Sequence, residues 1–228
     1  MTKHAVVTGA SKGIGKAVAK YLATQGYDLT LIARNTEALN QVRVETHSDF
    51  PNLSVDVHSI DLSDYNNAYK KLITIAKQLD RIDIVFNNAG VFTLGTLNID
   101  LDDFSNMIDI NVKGLFIVAK AFGNKMKVQK HGYIFNLGSM AGKQTFATGG
   151  GYCASKYAVV GFNGALHQEL KPYNVKVTAI CPGVIDTDMT KTFDTPKEEK
   201  MGTEEITKAI GYLLSCGPNT NVETLDLT

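Results

Sequence analysis

The chain has 228 residues, 44% of them hydrophobic, and its 23 Lys plus Arg balance its 23 Asp plus Glu. That length and apolar content suit one α/β domain with a sizeable core, while the zero net charge supplies no global field for nucleic acid, an anionic membrane or an acidic partner. No apolar stretch reaches the roughly 20 residues of a membrane span, and Met1 leads into an apparent strand without a leader-peptide pattern, so the expected location is cytoplasmic.

In chain order, short β-branched runs at residues 4–8, 29–33, 53–57, 82–86, 133–137, 175–180 and 222–227 are expected strands. Between them, residues 13–25, 36–46, 63–79, 101–127, 151–171 and 203–215 carry apolar residues at helix-like intervals, with Ser63 and Thr203 as expected N-caps. The alternation predicts a single domain over 1–228: a doubly wound parallel sheet of about seven strands with helices on both faces. Residues 184–201, charged and containing Pro196, read as an extended loop and a candidate substrate lid. Cys153, Cys181 and Cys216 are odd in number and widely spaced, which predicts free thiols. His4, His47, His58, His131 and His167 lack metal-ligand spacing, so no metal is expected and surface or strand positions are.

The first expected strand runs into Gly9, Ala10, Ser11, Lys12, Gly13, Ile14 and Gly15, and then a helix. Glycines there let the backbone turn sharply and bring amides and a helix N-terminus to a pyrophosphate. The spacing Gly-x-x-x-Gly-x-Gly departs from Gly-x-Gly-x-x-Gly, so its support is the strand-turn-helix context, and a glycine-rich loop with no ligand is the plainer alternative. Arg34 follows the second strand, where an acidic residue suits the ribose hydroxyl of NAD and a basic one suits the 2′-phosphate of NADP. Lys12 could add a second charge there, while Asp28 lies at the far end of the strand; a surface arginine is the alternative.

Tyr152 and Lys156 stand one helical turn apart. A phenol titrates near ~10, and a fixed ammonium beside it favours the phenolate, a route to proton transfer. Asn87 to Gly90, Asn111 and Ser139 are expected near the same crevice, past C-terminal strand ends or on the adjoining helix. Taken singly, each has an ordinary reading as a turn, helix or solvated surface residue.

In this order the motifs resemble the short-chain dehydrogenase/reductase family, in the manner of its NADP-dependent carbonyl reductases, over essentially the whole chain. The resemblance implies a Rossmann fold and an NADP(H) cofactor. Gly9, Ser11, Lys12, Gly13, Ile14 and Gly15 would form the cofactor loop, Arg34 and Asn35 would lie near the 2′-phosphate, and Asp61 and Leu62 would flank the adenine. Asn88, Ala89 and Gly90 would lie against the cofactor and steady the sheet, while Pro182, Gly183, Val184, Ile185 and Thr187 would close around the nicotinamide. Tyr152 would be the general acid, Lys156 would favour the ionised phenol while touching the nicotinamide ribose, Ser139 would hydrogen-bond the substrate oxygen, and Asn111 would hold a water linking Lys156 to solvent.

The expected substrate is a small or medium carbonyl or alcohol, lined by Phe92, Leu94, Met140, Gln144, Phe146 and Met189. A homodimer or homotetramer is expected through the helices around 101–127 and 151–171, although the chain stops at Thr228 without the glycine-rich tail of many relatives. Two other uses of the site stay open: a noncatalytic NADP(H)-sensing regulator, and an epimerase or dehydratase in which transient oxidation is followed by re-reduction.

Overall fold

The computed structural model describes residues 2–228. Seven parallel strands form one sheet: β1 (Lys3–Thr8), β2 (Tyr27–Ala33), β3 (Val55–Ser59), β4 (Ile84–Asn87), β5 (Gly132–Leu137), β6 (Val175–Pro182) and β7 (Thr224–Leu227). Their order is β3-β2-β1-β4-β5-β6-β7. Successive side chains point to opposite faces; the central strands β1, β4 and β5 are covered on both and are buried almost throughout, while the edge strands β3 and β7 alternate and pack only one face. Val6, Val85, Ile134 and Val177 face one core; Val7, Phe86, Phe135 and Ile180 face the other.

Helices α1 (Gly13–Thr24), α2 (Thr36–Asp49) and α7 (Thr203–Ser215) cover the second of these faces, packing Val18, Leu22, Leu39, Ile206 and Ile210 into it. Across the sheet lie α3 (Tyr65–Gln78), α4 (Leu101–Ile108), α5 (Leu115–Gln129) and α6 (Gly150–Leu170), of which α3, α5 and α6 bury Leu72, Ile75, Val118, Phe122, Leu166 and Leu170. The strand order reverses between β1 and β4, which opens a crevice at their C-terminal ends where ligands bind in such sheets.

Several expected boundaries move. The helix expected over 101–127 is divided by a π-helical segment at Asp109–Gly114 that widens the turn around Asn111. β3 begins at Val55, because Leu53 is held in a turn by its N–H donating to Phe50 O at 3.1 Å. Asp64, not Ser63, caps α3 by accepting from Asn67 N, while Ser63 bonds back to Asp61 through its N–H and its hydroxyl. Thr203 is the first residue of α7, with Gly202 at the cap. His167 is buried within α6, its Nδ1 bonded to Val177 O at 2.8 Å, and occupies neither the surface nor a strand. Among the described residues no helix is long and apolar enough to cross a membrane, and no cluster of three or more His, Cys, Asp or Glu could hold a metal ion.

Candidate active site

Two strand ends meet in the crevice. The Thr8 hydroxyl at the end of β1 accepts from Asn88 N at 2.9 Å and Ala89 N at 3.1 Å, and Asn88 Nδ2 donates to Thr8 O at 2.8 Å. Gly9 has φ +64°, and a Cβ there would stand 2.6 Å from Asn88 Nδ2, so the turn closes against β4 only as glycine. Lys12, at the N-cap of α1, makes no side-chain cap, which leaves the first N–H groups of the helix free to meet an anion. A dinucleotide pyrophosphate fits this cradle.

Arg34 is exposed just past β2 and has no ion-pair partner among the described residues. Burial works to raise the Asp61 carboxyl, but the Ser63 N–H and hydroxyl and the Arg34 charge together leave it lowered. The other residues expected at this end are engaged elsewhere. Asn35 caps α2 by accepting from Ala38 N at 2.9 Å, and Leu62 buries its side chain in the core. Lys12 Nζ lies 3.5 Å from Asp188 and so ties the turn to the loop at 184–201 instead of extending toward Arg34.

Asn111, Ser139, Tyr152 and Lys156 approach the crevice from the π-helical segment, the end of β5 and the first turns of α6. Tyr152 is partly buried, its ring edge-on to Phe92 at 4.8 Å and 79°. Burial pushes its phenol up to about 12, with the Ser139 side chain drawing it back down. Ser139 also accepts from Ala141 N at 3.1 Å, capping the short turn Met140–Gly142 and so fixing its own hydroxyl. Lys156 is buried, its Nζ 2.9 Å from Leu137 O and 5.7 Å from the centre of the Tyr152 ring. Burial lowers its ammonium to about 8, opposed by the nearby Cys181 thiol.

The Asn111 side chain is already committed. Its Oδ1 accepts from Val91 N at 2.8 Å, and its Nδ2 donates to Val91 O at 2.9 Å and to Ser155 Oγ at 3.0 Å. Ser155 in turn donates to Tyr152 O at 2.8 Å, so a chain of bonds runs from the π-helical segment into the helix that bears Tyr152. Both amide hydrogens of Asn111 are thus spent on Val91 and Ser155 rather than on a water linking Lys156 to solvent.

The loop at 184–201 leaves β6 at Pro182 and is stitched by Gly183 N to Leu227 O at 2.9 Å, Met201 N to Val184 O at 2.9 Å and Thr190 Oγ1 to Ile185 O at 2.6 Å. Thr187 lies beside Gly13, and Phe193 reaches back to Phe92 with ring centres 5.0 Å apart. Leu94, Phe146 and Met189 are exposed, while Met140 is half-buried and Gln144 exposed. Sequence reading missed Ser155 and Phe193. Ser155 carries the sequence signal of standing three residues after Tyr152, but only its contact with Asn111 gives it a role, and nothing local singles out Phe193.

A family model described as short chain dehydrogenase matches residues 3–198. An uncharacterised oxidoreductase of Staphylococcus epidermidis is 34% identical over 226 residues, covering 99% of this chain and 96% of that protein. Among solved structures, an alcohol dehydrogenase from the archaeon Thermococcus sibiricus complexed with 5-hydroxy-NADP is similar at TM-score 0.89 and 29% identity, covering 100% of this chain and 96% of the other. A betaketoacyl-[ACP] reductase from Bacteroides thetaiotaomicron is similar at TM-score 0.85 and 32% identity, covering 100% and 97%.

Proposed function

The chain belongs to the short chain dehydrogenase family of oxidoreductases, and we propose that it transfers hydride between NADP(H) and the carbonyl or alcohol carbon of a small or medium, largely apolar substrate. The observation that carries this reading is a partly buried Tyr152 beside Ser139, with Lys156 one turn on, at the crevice that also presents the uncapped start of α1. The free Arg34 suits a 2′-phosphate, and the similar alcohol dehydrogenase complexed with 5-hydroxy-NADP supports the same choice.

The Gly9–Gly15 turn and the first N–H groups of α1 would hold the pyrophosphate, Arg34 the 2′-phosphate, and Pro182 to Thr187 would lie along the nicotinamide. When bound, the reduced nicotinamide supplies hydride to the carbonyl carbon. Ser139 donates a hydrogen bond to the carbonyl oxygen, and Tyr152, a neutral phenol at pH 7 with its ionisation raised to about 12, gives that oxygen its proton. The phenolate left behind is stabilised by the charge of Lys156, whose Nζ stands 5.7 Å from the ring centre, and it regains its proton from solvent by way of Lys156, past Asn111. Phe92 and Phe193 wall the reacting centre with aromatic surface and favour an apolar substituent on the substrate. The loop at 184–201 acts as the lid over it.

NADPH oxidation against a panel of aldehydes and ketones tests this reading, with Tyr152→Phe as the control. Turnover of at least one carbonyl that falls by about a hundredfold or more in the variant supports it. An undiminished rate in Tyr152→Phe overturns the acid assignment, and tight NADPH binding with no hydride transfer across the panel assigns the sensing role instead.

The protein is read as a cytoplasmic homodimer or homotetramer. Support comes from the outer faces of the π-helical segment, α5 and α6, where Val112, Leu115, Phe116, Ala158 and Phe162 line an apolar depression and the rings of Phe116 and Tyr157 are exposed. Light scattering of Phe116→Glu beside the unaltered chain checks it: a fall in mass supports this face as the contact, and a monomeric parent chain removes the oligomer altogether.

A further inference from the structure

The helix that carries Tyr152 and Lys156 begins without a cap of its own. Gly149, at the N-cap of α6, offers no side chain to accept from the first N–H groups, which must find their acceptors elsewhere. The acceptor arrives from 54 residues earlier: Thr96 Oγ1 accepts from Gly150 N at 3.0 Å, and donates to Ala147 O at 2.5 Å. Beside it, Gly95 N donates to Thr148 O at 2.7 Å, and Gly151 N donates to Gly95 O at 3.2 Å. A Cβ on Gly150 would stand 2.8 Å from the Thr96 side chain, so the hydroxyl comes this close only to glycine.

The same segment is held at its other end by Asn111, which binds both the N–H and the carbonyl of Val91. Residues 91 to 96 are thus pinned between the π-helical segment and the first turn of α6. Phe92 sits inside that span with its ring edge-on to Tyr152.

We propose that Thr96 is a positioning residue for the proton transfer: its hydroxyl fixes the first turn of α6 against the 91–96 span and thereby sets the place of the Tyr152 phenol between Phe92 and Ser139. This rests on the reading of Tyr152 as the acid and base. Only one residue separates Gly150 from Tyr152, so losing the bridge frays the turn that carries the phenol. Water then reaches the ring, and the burial that raises its ionisation is relieved.

Thr96→Val keeps the shape and deletes the hydroxyl; Thr96→Ser keeps the hydroxyl. Tyrosine labelled with ¹³C at Cζ, assigned by comparison with Tyr152→Phe, reports the phenol ionisation without any turnover. In Thr96→Val we expect kcat to fall about tenfold, KM for NADPH to stay within about twofold, and the Tyr152 ionisation midpoint to move toward that of an ordinary phenol. Thr96→Ser restores both. An unchanged midpoint and kcat in Thr96→Val, or a loss that Thr96→Ser does not restore, overturns the proposal. If Thr96→Val fails to fold, Gly150→Ala replaces it: the added Cβ displaces the Thr96 side chain yet favours helix, so the same loss is expected and an unaltered midpoint overturns the idea. Should the parent chain reduce no carbonyl at all, the reductase reading fails, and the ionisation comparison still decides the role of Thr96.

Discussion

Lys156 points its Nζ at Leu137 O, 2.9 Å away, rather than at the Tyr152 hydroxyl, and the same nitrogen stands 5.7 Å from the centre of the Tyr152 ring. The charge is thus buried with one neutral acceptor and no carboxylate, and burial lowers its ionisation from 10.5 to about 8. Below about pH 8 the folded state carries the full cost of that charge; the cost is relieved as pH rises toward 10.5, where the unfolded chain also loses its proton. Lys156→Met is therefore expected to stabilise the coenzyme-free protein by about 2 kcal/mol at pH 7 while removing most turnover. Urea unfolding at pH 7 and pH 10 checks it, with the gap between the two proteins shrinking at the higher pH.

Tyr152 is held above the ordinary phenol range by burial, at about 12. Carbonyl reduction uses the protonated phenol and alcohol oxidation the phenolate, so reduction should be level across neutral pH and oxidation should climb with alkalinity. Initial rates for one carbonyl and its matching alcohol, measured over a common pH series, test the asymmetry; parallel profiles would count against Tyr152 as the shared group.

Arg34 is exposed and has no ion-pair partner among the described residues, so its charge is available to a ligand. Arg34→Ala should weaken NADPH binding about tenfold and leave NADH nearly unaffected, since only the former carries a 2′-phosphate. Fluorescence titration with both coenzymes at low and high salt gives the comparison, and added salt should narrow the NADPH difference.

At the opposite end of the sheet, Asp83 is buried and accepts from His4 N at 2.8 Å, from the Arg81 guanidinium and from the His131 ring at 2.9 Å. Burial alone would raise its carboxyl, but these donors leave it lowered. A lowered carboxyl contributes stability that is complete above the ordinary value of 3.8 and is lost as pH falls through the folded one. Asp83→Asn is expected to cost about 1–2 kcal/mol at pH 7, because it weakens the charge-assisted bonds from Arg81, His131 and His4 N while the partly exposed Arg81 stays solvated, and the difference from the parent chain should fade in strong acid. Denaturant midpoints at pH 7 and pH 3 measure this.

Much of the layer architecture was legible because a parallel strand covered on both faces is dominated by apolar and β-branched residues, as in residues 4–8, 133–137 and 175–180, and such short runs depend on neighbours only weakly. Boundaries were less so. Ser63 and Asp64 are both capable N-caps, and the choice fell to Asp64 because Asp61 captures the Ser63 hydroxyl. The π turn around Asn111 left no trace in a periodicity that simply reads helix across 101–127.

The amino-acid order by itself determined the strand-turn-helix start with its close-packed glycines, the basic residue after β2 and the one-turn spacing of Tyr152 and Lys156, all of them consequences of local backbone geometry. Only the tertiary structure decided that Lys12 turns to Asp188, that Asn111 clasps Val91 and Ser155, that Phe193 meets Phe92 and that Thr96 caps α6. The reason is that each of these groups can satisfy its polar or apolar surface with many partners, and which one it meets is set by chain segments distant in sequence and brought together by burial of the sheet.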